Sequence, residues 1–345
     1  MEGEIKNLIN VWLSVIASLC YCYFICSKVP KGKYRFISLL PIFYLFTILP
    51  LYLSYAFPIS ITAFFITWLA NFKLLLFCFD QGPLSWVPQK SLLLFIVTAS
   101  LPIKIKQQNY KNDPKPPKLP LNLGTESFLF SVLMGVLYSY RERIHQKIVL
   151  VVYCCLVFLL VDLLIALSSA MVRVLIGLEL EPPSDEPYFA TSLQDFWGRR
   201  WNLMVTNILR HTVYKPVRSA SAALLGREWA PLPAVLAAFL VSGLMHELLF
   251  YYVTRATPTW EMTLFFVLHG VCVVVEFRVK RALTDRWRLH WAVSGPLTVG
   301  FVMVTSFWLF FPPLTRNGAD VRVIEEFQLF LKFMKRPMKL QSFVG

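Results

Sequence analysis

Seven apolar stretches, each close to the length of a membrane crossing, constrain this chain more than any other feature. They run over 8–25, 36–56, 59–79, 148–169, 232–253, 260–277 and 291–311. A helix of about 20 apolar residues crosses about 30 Å of hydrocarbon. Lipid offers a backbone no hydrogen bonds, so a spanning segment is either helical or part of a closed barrel. Alternating polarity is absent and the runs are too long for barrel strands. The expected fold is therefore all-α, a polytopic membrane bundle of about seven to nine transmembrane helices. The upper bound comes from two shorter runs, 92–103 and 128–140. Their length fits a re-entrant, tilted or bundle-buried segment. Of 345 residues only 16% are charged and 57% are apolar, whereas a soluble globule carries roughly a quarter charged residues. A water-facing surface is thus excluded, as is intrinsic disorder. With 7 Cys the chain is not a disulfide scaffold either.

Lys and Arg stay on the cytosolic side of a membrane. The first run follows Glu2 and Glu4 rather than a basic segment, and no small-residue cleavage site comes after it. Lys28, Lys31, Lys33 and Arg35 come next. This reads as an uncleaved first helix with its N-terminus outside the cytosol. Loop 278–290 holds Arg278, Lys280, Arg281, Arg286 and Arg288 against Asp285. Segment 104–125 holds Lys104, Lys106, Lys111, Lys115 and Lys118 against Asp113. All three basic clusters are cytosolic only if 92–103 does not cross completely. Arg141, Arg143 and Lys147 then fall on the lumenal side, unless 128–140 is half-inserted. The stretch NYKNDPKPPKLPL, 109–121, is an extended solvated loop, too short for a domain boundary. No internal repeat supports a transporter built from two halves. The chain reads as one integral membrane domain, 1–345, with its motifs in 179–312. The net charge of +14 fits cytosolic loops beside anionic membrane lipid and gives no support for nucleic-acid binding.

Polarity changes at Glu179. Pro182, Pro183 and Pro187 break any helix entering the segment that follows. TSLQDFWGRRWN, 191–202, then combines Trp197, Trp201, Arg199, Arg200, Asp195 and Asn202. Composition allows two readings: an interfacial amphipathic helix with Trp anchors, or a phosphate-gripping site in which Arg199 and Arg200 work beside a Trp. His246 and Glu247 stand in the middle of the run 232–253. Ionisable groups at bilayer depth face a cavity or a partner. For His246 the choice is between function and a satisfied structural histidine; Glu247 reads as a buried partner to an Arg. His269 is a second intramembrane histidine, while His145, His211 and His290 lie in basic loops and read as solvated. A zincin pattern fails because position 250 is Phe. The Cys pairs lack a companion His at ligand spacing, so no metal is expected. There is no phosphate-binding glycine loop and no G-x-S-x-G.

Taken in order, PYFATSLQDFWGRRWNLMV (187–205), VSGLMHELLFYY (241–252), FFVLHGVCVVVE (265–276) and GFVMVTSFWLFFP (300–312) resemble the plant wax synthase branch of the membrane-bound O-acyltransferases. WLANFKLLLF (68–77) and GPLS (82–85) resemble it too. Plant sterol acyltransferases look much alike. The resemblance implies a multi-pass enzyme of the endoplasmic reticulum that joins the acyl chain of a fatty acyl-CoA to the hydroxyl of a long-chain fatty alcohol, with acyl-CoA as co-substrate and no cofactor. It implies His246 as catalytic histidine and Asn202 as its polar partner. The nearest alternative acceptor is a sterol; a polytopic transporter or receptor is the non-enzymatic alternative.

A thioester is already activated, so the minimal catalyst is a base for the hydroxyl and a group that stabilises the oxyanion. Histidine, with an ordinary pKa of ~6.5, is the natural base. Asn202 orients the alcohol or the thioester carbonyl without charge. If its oxygen accepts from the alcohol, Asn202→Asp retains more activity than Asn202→Ala, and this is the expected ranking. Arg199 and Arg200, flanked by Trp197 and Trp201, are the expected substrate-binding residues at the cytosolic mouth, with ion pairing to Asp195 or lipid as the other use of the two cations. No feature sets an oligomeric state.

Overall fold

The computed structural model describes residues 2–86, 91–104, 123–177, 180–182, 184–283 and 289–334. Its helices are α1 (Glu2–Phe24), α2 (Lys33–Ile48), α3 (Ala56–Cys78), α4 (Leu92–Ser100), α5 (Leu123–Tyr140) and α6 (Gln146–Ile176). After the polar segment come α7 (Leu203–Leu209), α8 (Lys215–Trp229), α9 (Pro231–Thr254), α10 (Glu261–Ala282), α11 (Trp291–Arg316) and α12 (Ala319–Met334). Seven of them, α1, α2, α3, α6, α9, α10 and α11, are long and apolar enough to cross a membrane. The protein is therefore a multi-pass membrane protein. The stretch 109–121 and the residues Asp285, Arg286 and Arg288 lie outside the described residues.

Polar contacts sort the helix ends onto two faces. On one, Lys31 meets Asp80 at 3.6 Å, Lys104 meets Glu181 at 2.5 Å and Arg281 meets Glu228 at 3.3 Å. On the other, Arg141 meets Asp320 at 2.6 Å, Glu4 accepts from the Ser54 N–H at 2.8 Å and Glu326 accepts from the Ala56 N–H at 2.7 Å. The first face carries Lys31, Lys104 and Arg281. Lys104 lies just beyond α4. In contrast, α5 is 18 residues long and ends beside Arg141 on the second face. Asp320 and the Tyr153 hydroxyl, 3.0 Å from its Nε, accept from Arg141 there.

Lys73 holds the end of α4. This side chain is fully buried, and its Nζ donates to the carbonyls of Thr98 (2.7 Å) and Leu101 (2.6 Å). The last carbonyls of a helix have no partner within the helix, and in an apolar interior that is costly. A cation there satisfies them and sits at the negative end of the helix dipole.

Two apolar cores are the largest among the described residues. One joins α1, α2, α3 and α4 through Leu19, Phe46, Ala63 and Phe95. The other joins α5, α6 and α12 through Met134, Leu159 and Ile324. A large chamber lies between them and α9–α11. Four segments wound as π-helix, Ala63–Ala70, Phe196–Arg200, Arg210–Tyr214 and Ser306–Phe310, each deliver side chains to its wall: Trp68, Trp197, Tyr214 and Phe310 among them. A π turn inserts extra backbone into the helical count and so rotates the following side chains to a new face, a device frequent at functional sites.

Candidate active site

The chamber has a volume of about 1330 Å³, above the roughly 300–1,000 Å³ of ordinary small-molecule pockets. Its wall is mostly Leu, Val, Phe and Trp, and both His246 and Asn202 belong to it. Their elements are brought there by close packing of α9 on α10. A Cβ at Gly243 would lie 2.9 Å from the Thr263 Cα, and one at Gly270 would lie 2.9 Å from the Phe239 Cβ. Without these two glycines the helices could not approach so near.

One turn beyond Gly243, His246 is held by aromatic rings. It stacks on Phe266 (centroids 4.2 Å, interplanar 27°) and meets Trp68 edge-on (4.9 Å, 83°). Its Nδ1 lies 2.7 Å from the Ser242 carbonyl oxygen. A carbonyl only accepts, so Nδ1 carries the proton and donates it. That assigns the lone pair to Nε2, the nitrogen a base needs. The geometry thus gives His246 one defined tautomer without a carboxylate.

Among the described residues Glu247 has no arginine partner. Its carboxylate accepts from the backbone N–H of Trp260 (2.8 Å) and of Thr263 (3.1 Å), and from the Thr263 hydroxyl (3.3 Å). Trp260 is the N-cap of α10 but offers no side-chain oxygen to it. Glu247 supplies that cap from the neighbouring helix, where a negative charge also complements the dipole. Its alanine variant should leave buried donors unsatisfied at roughly 1–3 kcal/mol each. The expected result for Glu247→Ala is poor accumulation and a lower inactivation temperature in detergent, with near-normal turnover per surviving folded molecule. Unchanged thermal stability at wild-type abundance would overturn this reading.

The segment 191–202 is not a continuous amphipathic helix. A short turn is capped by Ser192, whose Oγ accepts from the Asp195 N–H at 3.2 Å. The π segment Phe196–Arg200 follows, and Asn202 then takes a left-handed backbone (φ 38°, ψ 67°). Asn tolerates that region better than most residues. Its Oδ1 caps α7 by accepting from the Val205 N–H at 3.2 Å, which leaves the amide Nδ2 as its donor.

Trp197 and Trp201 also line the chamber, but Arg199 and Arg200 are not on its wall. Arg200 donates to Asp195 (2.7 Å) and to the carbonyl of Asp185 (3.1 Å), so it braces the segment. Arg199 is exposed. The cations that do reach the wall are Arg210, Lys215 and Arg218, beside Tyr214. Among the described residues none of the three is in an ion pair. Sequence reading passed over them, because without the fold they are ordinary basic residues of a loop. His211, expected in a solvated loop, is half-buried in a π segment, its Nδ1 2.9 Å from the Asn207 carbonyl oxygen. His145 and His290 are exposed, and each caps the helix that follows it, accepting from Lys147 N–H and Ala292 N–H. His269 is fully buried and off the chamber wall.

A large apolar chamber inside a membrane bundle, with a tautomer-fixed histidine and three cations on its wall, defines a membrane enzyme for long-chain substrates. The model of the membrane bound O-acyl transferase family matches residues 180–268, from the polar segment to the residue before His269. The chain is 45% identical to the long-chain-alcohol O-fatty-acyltransferase of Simmondsia chinensis, over 100% of this chain and 99% of that protein. It is 46% identical to "Probable long-chain-alcohol O-fatty-acyltransferase 1" of Arabidopsis thaliana (97% and 98% covered). It is 43% identical to acyl-CoA–sterol O-acyltransferase 1 of the same plant (93% and 94% covered). The chain belongs to the membrane bound O-acyl transferase family.

Proposed function

We propose that this protein is a wax ester synthase that moves a fatty acyl group from acyl-CoA to the hydroxyl of a long-chain fatty alcohol. The observation that carries the reading is that the Nε2-basic His246 and Asn202 line one apolar chamber of about 1330 Å³, in a chain similar over its whole length to a long-chain-alcohol O-fatty-acyltransferase. In the step itself, Nε2 of His246 takes the hydroxyl proton as the alcohol oxygen attacks the thioester carbon. The Ser242 carbonyl, already bound at Nδ1–H, stabilises the imidazolium that forms. The Nδ2 amide of Asn202 donates to the oxygen that gains charge. The C–S bond then breaks, and the imidazolium returns its proton to the departing thiolate. All-protein general base catalysis is enough for this chemistry, with no cofactor.

CoA is soluble and anionic, so its phosphates belong at the basic face, beside Arg210, Lys215 and Arg218. The alkyl chains belong in the chamber below. We place the enzyme in the endoplasmic reticulum, where a cytosolic mouth meets the acyl-CoA pool. Arg218→Ala should raise the apparent KM for acyl-CoA several-fold with kcat little changed, the signature of lost ground-state binding. Arg200→Ala should lower abundance instead, because Arg200 is an internal brace. The reverse pattern in kinetics on quantified protein would return the phosphate site to Arg200.

The test of function is acyl transfer by microsomes containing the protein, with labelled acyl-CoA and either a long-chain alcohol or a sterol. Alkyl ester is the expected product. Steryl ester alone would assign the activity named for the sterol-acylating relative. No ester with either acceptor would overturn the enzymatic reading.

A further inference from the structure

His269 lies off the chamber wall, yet its ring is the middle of a hydrogen-bond chain that begins on that wall. The Trp197 indole Nε1–H donates to His269 Nδ1 at 2.9 Å, and His269 Nε2 lies 2.9 Å from Thr305 Oγ1. Thr305 Oγ1 donates in turn to the Phe301 carbonyl at 2.7 Å. Every direction is fixed. An indole N–H only donates and a carbonyl only accepts. Nδ1 must therefore be the unprotonated nitrogen, and Nε2 carries the proton it gives to Thr305. Thr305 Oγ1 also lies 3.0 Å from the Val302 carbonyl oxygen, and His269 itself is fully buried.

The two intramembrane histidines thus hold opposite tautomers. Nε2 of His246, on the chamber wall, has no partner among the described residues, whereas both nitrogens of His269 are consumed. What His269 holds is Trp197, and Trp197 touches the catalytic side. Its ring packs on Phe266 (centroids 5.7 Å), the same ring that stacks on His246, and on Phe239 of α9 (5.8 Å). Its carbonyl accepts from Thr206 Oγ1 at 3.0 Å, in the helix that Asn202 caps. One indole therefore couples the Asn202 segment to the plate under His246.

We infer that His269 is a positioning residue for acyl transfer, acting through the Trp197 indole N–H to fix the wall between Asn202 and His246. This rests on the acyltransferase reading above. It assigns His269 no contact with substrate and no proton to move in the reaction.

The experiment is kinetics per folded molecule, on purified and quantified full-length protein. Asn at 269 keeps an acceptor near the position of Nδ1, and so keeps the bond to Trp197. Gln reaches toward Thr305 instead, and Leu makes neither bond. The expected order of kcat is wild type, then His269→Asn, then His269→Gln together with His269→Leu. The last two should fall at least about tenfold, since an ångström of misplacement near the chemistry costs up to ~10²-fold. KM for acyl-CoA should stay within about threefold, because the phosphate-facing cations are untouched. Trp197→Phe removes the donor and keeps an aromatic plate. On that background His269→Leu should cost little more, as coupled residues are not additive. A purely structural histidine would lower abundance with kcat per folded molecule within twofold of wild type, and that result would overturn the inference. So would equal losses from His269→Leu with Trp197 and with Phe at that position. Both judgements need ester from the wild type. Its absence would overturn the acyltransferase reading, and this inference with it.

Discussion

Replacing His246 by alanine should lower turnover by at least ~10²-fold, the scale on which general base catalysis operates, in protein that inserts and accumulates normally. The side chain makes one hydrogen bond, to the Ser242 carbonyl of its own helix, and ties no other element together by polar contact. Its loss therefore removes the Nε2 base with small structural consequence. The comparison with its neighbour sharpens the point. Glu247 holds the start of α10, so its loss is a stability defect, although the two residues are adjacent in sequence. Ester formed per quantified molecule, measured beside abundance, separates the two. Activity of His246→Ala above a tenth of wild type at equal abundance would remove His246 from the chemistry.

Asn202 carries the second large effect, and here the structure changes the expected ranking. An acceptor role toward the alcohol would let Asn202→Asp outperform Asn202→Ala. Oδ1 already accepts from the Val205 N–H, whereas the amide Nδ2 has no partner among the described residues and is the group we assign to substrate. Asp keeps the cap and should fold well. It loses the donor, however, and sets a negative charge where the oxyanion grows. We expect Asn202→Asp to lose ~10²–10³-fold in kcat, the typical cost of one oxyanion donor, and to be no better than alanine. Asn202→Ala also loses the cap, at about 1 kcal/mol, and should show a lower inactivation temperature that the Asp variant does not share. An Asp variant with more than a tenth of wild-type kcat would return Asn202 to the acceptor role.

Several features of the site were legible before any fold. An ionisable residue in an apolar run is costly enough to stand out, and His246 and Glu247 did. The segment with Trp197, Trp201 and Asn202 stood out as a polar interruption between spans, and its resemblance to a known family gave it a role. What the cations do was not legible. Arg199, Arg200, Arg210, Lys215 and Arg218 are alike in sequence, and only their positions in space make Arg200 a brace and Arg218 part of the wall. Glu247 was misassigned for a related reason. Its partners are backbone N–H groups, which every residue except proline carries and no sequence pattern marks.

By itself the sequence determined the solvent, the secondary structure and the number of crossings to within two. All three follow from local quantities: the length of apolar runs and the demand of every backbone group in lipid for a partner. Tertiary structure alone decided that Lys73 holds the last carbonyls of α4, that four π segments rotate Trp68, Trp197, Tyr214 and Phe310 into one chamber, and that His246 and His269 hold opposite tautomers. The physical reason is common to all of them. In a bilayer the lipid-facing and core-facing sides of a helix are both apolar, so hydropathy no longer distinguishes inside from outside. Packing and hydrogen-bond partners across the bundle make that choice, and they exist only once the chain has folded.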